Sequence, residues 1–294
     1  MLGYLVALLI LGGIYALLTI SLDLQYGHTG LVNFGLVGFF AVGAYGSALV
    51  ALAGYPIAVG FAVGICSAAL LALPIGGLAL RLRDDYFAIV TLGFSEVVRL
   101  VIVNEEWLTK GGLGLPGVPR PFAQLGVGGA EAAYLALVVA CNVIVVLVIR
   151  RVVGSPFGRL LQAIRDNETT VVSLGKSPPG AKVRALVIGA AIAGLAGTLN
   201  AHLTFFIGPQ EYGFDRGVEI LTMTILGGIN SLFGPVLGGI IVTLLPELLR
   251  SFKDYRAVAN GLILVLIVLF LPKGLWNPAW MRRVLGLRRK GVTP

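Results

Sequence analysis

Four ionisable residues lie inside stretches that are otherwise apolar enough to sit in a membrane: Asp23, Glu96, Arg99 and Glu219. An unpaired charge in hydrocarbon is costly, so residues of this kind commonly line an ion or solute path. Glu96 and Arg99 are three residues apart, which puts them on one face of a helix, where they can pair. Asp23, Glu96 and Glu219 are therefore candidate sites for H⁺ or Na⁺ coupling. The alternative is an interfacial charge or a packing pair.

The chain carries no constellation typical of an enzyme or of a metal site. A phosphate-binding loop motif, a zinc-protease helix motif and a nucleophile elbow are all absent from the sequence. His28 and His202 stand alone, whereas a metal needs converging ligands. Cys66 and Cys141 lie in apolar runs with no metal-binding spacing. We expect no catalytic residue, no metal and no cofactor bound by this chain.

The composition identifies the solvent in which these residues must work. Of 294 residues, 57% are hydrophobic and 12% are charged, against about 25% charged in a typical soluble domain. This predicts an all-α polytopic membrane protein with a single transmembrane domain over residues 1–294. The formal net charge of +8 gathers in a few loops without an aromatic-basic groove. We therefore expect contact with a lipid bilayer and not with nucleic acid.

Apolar stretches of roughly 20 residues predict about eight transmembrane helices. The candidates are Met1–Ser21, Leu31–Ala53, Pro56–Leu80, Tyr86–Val103, Ala132–Ile149, Val183–Phe206, Gly217–Leu249 and Ala257–Leu271. The seventh is too long for one simple span, and glycine, asparagine, serine and proline interrupt it. We expect two half-helices that meet at a turn, which a membrane tolerates only where protein or water surrounds the turn.

A second break is predicted at Gln25–Gly35, early in the chain. The stretch Phe34–Gly38 resembles Phe233–Gly238, and each follows a polar, glycine-containing segment. Transporters are commonly built from such repeats, with the broken helices beside the substrate path. Chance similarity between two glycine-rich apolar stretches is the alternative, and the sequence leaves both open.

Basic residues predict the orientation in the membrane. Segments 150–184 and 273–294 are rich in Lys and Arg and should be cytoplasmic, whereas segment 104–130 is poor in them and should form a folded external loop. The N-terminus is then external and the C-terminus cytoplasmic. If the seventh segment turns back, Arg250, Lys253 and Arg256 are external.

The cytoplasmic loop 150–184 contains a polar stretch with helical periodicity. Phe157, Leu160, Leu161 and Ile164 recur at helical spacing, which predicts an amphipathic surface helix. A second short helix should begin after Asp166 or Asn167 and end at Gly175. Such an element either docks a partner or is an ordinary surface loop.

Several motifs, in order along nearly the whole chain, resemble the ABC permeases of the branched-chain amino acid family, and specifically the M-type subunit. They are Leu24–Gly35, Tyr86–Leu92, Leu108–Pro119, Gly158–Gly175 and Glu219–Gly238. Two features depart from the family pattern: Asp84-Asp85 before Tyr86, and Thr169–Val172 in place of a small, alanine-rich face.

The resemblance implies an inner-membrane importer subunit working by alternating access. Its partners would be an H-type permease subunit, two ATPases that bind ATP and Mg²⁺, and an extracytoplasmic binding protein. The solute would be a branched-chain amino acid or a similar small molecule. The residues implied in ATPase coupling are Arg165, Asp166, Asn167, Glu168, Thr169, Ser173, Leu174 and Gly175. The candidates for the translocation path are Asn33, Phe34, Glu96, Glu219, Gly227, Gly228, Asn230 and Ser231. An ion-coupled secondary transporter remains the alternative function.

Overall fold

The computed structural model describes residues 2–79, 84–231 and 233–248. Two sequence predictions fall outside these residues: the last candidate span Ala257–Leu271 and the basic tail 273–294. The placement of Arg250, Lys253 and Arg256 lies outside them as well.

The described chain is almost entirely helical, as predicted. The α-helices are α1 Leu2–Leu22, α2 Leu36–Leu52, α3 Ile57–Ala79, α4 Asp84–Asn104, α5 Glu106–Thr109, α6 Gly126–Gly154, α7 Pro156–Asp166, α8 Glu168–Ser173, α9 Pro178–Thr204, α10 Phe214–Gly227 and α11 Gly234–Leu248. The π-helix Asp23–Gly27 continues α1. Five helices in the described part of the chain are long and apolar enough to cross a membrane, and α2 and the first part of α11 are shorter apolar helices. The total of eight spans stays a prediction.

Three predicted boundaries are wrong, each for a physical reason. Helix α6 begins at Gly126 rather than Ala132, and α9 begins at Pro178 rather than Val183. Hydropathy finds only the apolar middle of a helix, whereas both helices extend through polar residues, and proline is well tolerated in a first turn. Helix α2 begins only at Leu36, not at Leu31, because the first break occupies the preceding residues.

The closest helix packing lies where α2, α3 and α9 meet, and small residues let their backbones touch. Gly43 of α2 faces Gly194 of α9, while Gly64 of α3 packs on the Gly43 carbonyl. A methyl group added at Gly43, Gly64 or Gly197 would collide with the backbone of a neighbouring helix. Close backbone approach through small residues is the usual way in which helices associate in a membrane.

Helix α9 connects the two ends of the molecule. Its N-terminus follows α8, and its C-terminus leads into strand β2 (Phe206–Ile207), which pairs antiparallel with β1 (Leu115–Pro116) of the segment 104–130. A helix of 27 residues is about 40 Å long. The predicted coupling region and the predicted external loop therefore lie at opposite ends. The segment 104–130, predicted to be external, is folded, as expected.

The seventh candidate span is interrupted and turns back on itself. Helix α10 ends at Gly227 and α11 begins at Gly234. Gly227 faces Gly234, and Gly238 packs against Met223. The two half-helices are therefore antiparallel, and the break falls where the glycine, asparagine and serine residues predicted it.

Candidate functional site

Helix α7 is held against the end of α6 by a tight turn. The Ser155 hydroxyl accepts a hydrogen bond from the Gly158 amide at 3.3 Å, and Pro156 occupies the first helical turn. This arrangement is a common helix N-cap. Gly158 has no room for a side chain, because a Cβ would meet the Val153 backbone. Leu161 is fully buried, as the amphipathic pattern predicted.

Helix α8 is short and is capped at both ends. The Asn167 side chain accepts a hydrogen bond from the Thr170 amide at 3.0 Å, which makes Asn167 the N-cap. Gly175 has a φ of +71°, and its amide bonds the Val172 carbonyl at 2.9 Å, while the Lys176 amide bonds the Val171 carbonyl at 3.2 Å. This pattern is a Schellman motif. The predicted start and end of the second short helix are both confirmed.

The outer face of α8 presents large apolar side chains without cover in the described chain. Leu174 is 74% exposed and Val172 is 57% exposed, whereas Val171 is buried beneath them. Glu168 forms an ion pair with Lys182 of α9 at 2.9 Å, which fixes α8 to a long helix. An exposed apolar patch on a capped, anchored helix has the character of a protein-docking surface.

The other predicted coupling residues bond mainly within α7 and α8, and Arg165 also reaches Gly27. The Thr169 hydroxyl donates to the Asn167 side-chain oxygen at 2.6 Å, and the Ser173 hydroxyl donates to the Thr169 carbonyl at 3.0 Å. Arg165 pairs with the adjacent Asp166 at 2.9 Å. These bonds shape the element itself, so its outer contacts fall to Leu174 and Val172.

The first break is a π-helix followed by turns and irregular chain. Residues Asp23–Gly27 adopt the π form, which occurs mostly as single turns and commonly at functional sites. Gly30 follows with a φ of +81° and packs against Arg165. The polar residues of this stretch are buried, since Gln25 is fully covered and Thr29 is 2% exposed.

The side chain of Asn33 makes hydrogen bonds to residues at both ends of the first break. Its amide nitrogen donates to the Gln25 side-chain oxygen at 2.6 Å, and its own oxygen accepts from the Gly35 amide at 2.7 Å. Phe34 is half-buried, and its backbone amide donates to the Thr91 hydroxyl at 3.2 Å. The contacts of Asn33 therefore hold the backbone at the start of α2.

The second break, between α10 and α11, is a tight turn in which two residues, Gly228 and Asn230, have left-handed backbone. Gly228 has a φ of +108° and Asn230 a φ of +64°. The Ser231 hydroxyl donates to the Gly228 carbonyl at 3.1 Å and accepts from the Gly234 amide at 2.8 Å. Ser231 thus holds a glycine amide at the start of a helix, as Asn33 does in the first break. The two similar stretches share this local geometry.

Two long-range contacts join the coupling element to both breaks. The Asp23 carboxylate accepts a hydrogen bond from the backbone amide of Asn230 at 2.7 Å. The Arg165 guanidinium donates to the Gly27 carbonyl at 2.6 Å. A continuous path of contacts therefore runs from α7 through the π-helix to the turn after α10. Sequence reasoning missed both contacts, because the partners are far apart in the chain.

The remaining path candidates, Glu96 and Glu219, each pair with an arginine on their own helix. Arg99 donates to Glu96 at 2.9 Å, which confirms the predicted pairing. Arg216 donates to Glu219 at 2.7 Å. Glu219 lines a cavity between α1, α9, α10 and α11, and Glu96 is not among the lining residues of that cavity.

Residues 4–271 match a family model described as the branched-chain amino acid transport system / permease component. LivM of Escherichia coli, named a high-affinity branched-chain amino acid transport system permease protein, is 35% identical over 289 residues. The match covers 89% of this chain and 67% of LivM. The chain belongs to the branched-chain amino acid transport permease family.

The matches to two other members of the permease family cover a larger share of the relative's own length. LivM of Methanocaldococcus jannaschii, named a probable branched-chain amino acid transport permease protein, is 27% identical over 315 residues, which is 90% of each chain. LivH of Escherichia coli is 26% identical over 284 residues, which is 90% of this chain and 92% of LivH. The higher identity with LivM than with LivH of the same organism supports the M-type assignment. No solved structure matches the chain.

Three functional candidates in this permease were missed from its sequence. Asn200, Glu211 and Arg216 all line the same cavity as Glu219. Asn200 lies in α9, Glu211 in the short connection before α10 and Arg216 in the first turn of α10, so no single motif unites them. The one available signal was a polar residue within a span, which is the criterion that selected Asn33.

Proposed function

We propose that this chain is the membrane-spanning permease subunit of an ABC importer for branched-chain amino acids or similar small solutes. The observation that carries the proposal is the pair of helices α7 and α8. The capped α8 exposes Leu174, and Arg165 of the adjoining α7 begins a contact path to both helix breaks. Family membership supports the solute class, because the related LivM and LivH proteins are named for branched-chain amino acid transport.

The proposal includes the partners and the orientation. Two ATPases bind ATP and Mg²⁺ and dock on α7 and α8, a second permease subunit completes the path, and an extracytoplasmic binding protein delivers solute to the loop 104–130. The chain lies in the inner membrane with its N-terminus outside and its C-terminus in the cytoplasm. Movement of α8 on ATP binding is carried by Arg165 to the π-helix and by Asp23 to the second break.

The alternative, an ion-coupled secondary transporter, would need a carboxylate that exchanges an ion. Asp23 already accepts a backbone hydrogen bond from Asn230, and Glu96 and Glu219 already pair with arginines. The three carboxylates that the sequence offered as ion sites are therefore engaged, which argues against ion exchange at these positions.

Replacement of Leu174 by aspartate tests the docking surface. A charge placed where an apolar contact forms is strongly unfavourable, so Leu174→Asp should lower ATPase co-purification about tenfold or more. Leu113→Asp is the matched control, because Leu113 is 84% exposed at the opposite end. Equal ATPase recovery from both variants would contradict the proposal.

The orientation is tested by thiol labelling in intact cells. Cys66 and Cys141 are first replaced by serine, and a single cysteine is then placed at residue 113 or 174. An impermeant maleimide added outside should label the first and not the second. Labelling of the cysteine at 174 alone would reverse the topology.

A further inference from the structure

A cavity of about 420 Å³ lies between α1, α9, α10 and α11, at the end of the molecule opposite α8. Its volume is within the roughly 300–1,000 Å³ typical of small-molecule sites. The wall combines polar and apolar side chains. They are Tyr4, Leu8, Leu11, Tyr15, Asn200, Thr204, Glu211, Arg216, Glu219, Val242 and Thr243.

The charged part of the wall contains two carboxylates and one guanidinium. Arg216 binds Glu219 at 2.7 Å and lies over the Tyr15 ring, 5.5 Å from its centroid. Glu211 accepts a hydrogen bond from the Asn200 amide at 3.3 Å, and within the described chain it has no ion pair at 4 Å or less. Glu211 is therefore the carboxylate with room for a cationic group.

Arg216 also retains capacity for a ligand. A guanidinium carries five N–H donors in a planar fork that suits a carboxylate, and Glu219 accepts from only one of its nitrogens in the structure. A ligand carboxylate can therefore share Arg216 with Glu219. The wall thus offers a partner for an ammonium group and a partner for a carboxylate.

The apolar part of the wall completes the chemistry. Leu8 and Leu11 of α1 and Val242 of α11 line the same cavity. A branched aliphatic side chain would find an apolar surface there, while its charged end faces the polar wall. Burial raises the pKa of the Glu211 carboxyl, with Asn200 and Arg216 opposing the shift. Its ionised form thus has little water around it and gains from a bound ammonium.

We propose that this cavity, with Glu211 as the partner of the ammonium group and Arg216 as the partner of the carboxylate, is a binding site for a zwitterionic α-amino acid within the permease. The site rests on the proposed function and adds to it a place where the delivered solute first contacts the membrane subunit. It lies at the end where the binding protein is proposed to dock. A path needs sites that bind weakly enough to release the solute, so its affinity is low.

Equilibrium binding of radiolabelled leucine tests the site. The complete complex, with its partner permease and ATPases, is placed in lipid nanodiscs without the binding protein. Binding should be weak but saturable. Isoamylamine, which lacks the carboxylate, and 4-methylpentanoate, which lacks the ammonium, should each compete about tenfold or more weakly than leucine.

Variants of Glu211 and Arg216 test whether these two charged side chains bind leucine. Glu211→Gln and Arg216→Gln should each weaken leucine binding about tenfold or more, while Glu131→Gln, a half-buried carboxylate at the same end but outside the cavity wall, should leave it unchanged. If the glutamine variants do not assemble, Glu211→Asp and Arg216→Lys decide. Each keeps the charge and should retain saturable binding with reduced affinity.

Three results would overturn the site: no saturable leucine binding to the native complex, native affinity in both glutamine variants, or equal competition by isoamylamine, which would indicate a simple cation site. The proposed function has a separate readout, namely ATP-driven uptake of leucine with the binding protein present. Uptake with unaltered kinetics in the glutamine variants would reject the cavity and keep the importer. Absence of uptake by the native complex would reject the importer.

Discussion

The two helix breaks do the same structural work in different surroundings. In each break, a side-chain oxygen accepts a hydrogen bond from the backbone amide of a glycine at the start of a helix. The oxygen belongs to Asn33 in the first break and to Ser231 in the second. The first break is enclosed, with Asn33 only 3% exposed, whereas Asn230 at the tip of the second is exposed. The first break is therefore a fixed part of the core, and the second is a turn at its edge.

This difference assigns the breaks unequal roles. A buried polar network tolerates few changes, because each lost bond leaves an unpaired group that water cannot reach. An exposed turn exchanges lost protein bonds for bonds to water. We expect substitutions in the first break to be much more damaging than equivalent substitutions in the second.

The largest effect is expected at Gly27, where the two breaks meet. A Cβ at Gly27 would collide with the Asp23 carboxylate and come within 2.9 Å of the Asn230 amide nitrogen. Gly27→Ala should destabilise the protein by about 3 kcal/mol and abolish uptake. Thermal unfolding of the purified complex measures the change. Gly77→Ala is the control, because a Cβ there meets nothing within 4 Å. Equal stability of the two variants would contradict the claim that the two breaks pack together at Gly27.

An intermediate loss of stability is expected at Asn33, and a smaller one at Ser231, the two side chains that hold the glycine amides. Asn33→Ala leaves the Gln25 oxygen and the Gly35 amide without their partner and should cost about 2 kcal/mol. Ser231→Ala removes a partly exposed cap and should cost about 1 kcal/mol or less. Both values come from the same unfolding measurement. If the serine variant were the less stable of the two, the contrast between an enclosed and an exposed break would be wrong.

The smallest effect is expected at the tip of the second break. Asn230 has a left-handed backbone that glycine adopts without strain. Asn230→Gly should therefore change stability by only about 0.5 kcal/mol, while Asn230→Ala should cost about 1 kcal/mol more. Uptake by the glycine variant should match that of the native protein. A large loss in that variant would show that the Asn230 side chain itself takes part in transport.

Local features of this fold could be read from the sequence, and contacts between distant segments could not. Asn167 and Gly175 end a short helix for reasons contained in neighbouring residues, so both positions were predicted correctly. The interruption before Gly234 was also predictable, because glycine and proline disfavour a continuous helix. The π-helix at Asp23–Gly27 was not, since its residues have no distinctive local pattern.

The candidate cavity shows the same limit more clearly. Glu219 was selected because it lies in an apolar stretch, but its neighbours Asn200 and Glu211 come from different elements. The antiparallel return of α11 and the packing of α1 on it bring these elements together around the cavity. Lys182 is a further example. This buried lysine in the first turns of α9 forms an ion pair with Glu168 of α8, and the sequence alone does not show that pairing.

The glycine contacts among α2, α3 and α9 carry a consequence for how the protein changes shape. Backbones that touch without intervening side chains have no flexible groups to absorb sliding, and packed interfaces shift between discrete arrangements rather than deforming continuously. We therefore expect α2, α3 and α9 to move together as one body. The bonds from Asp23 and Arg165 lie outside these three helices, where they join α7, the π-helix and the turn between α10 and α11 to one another.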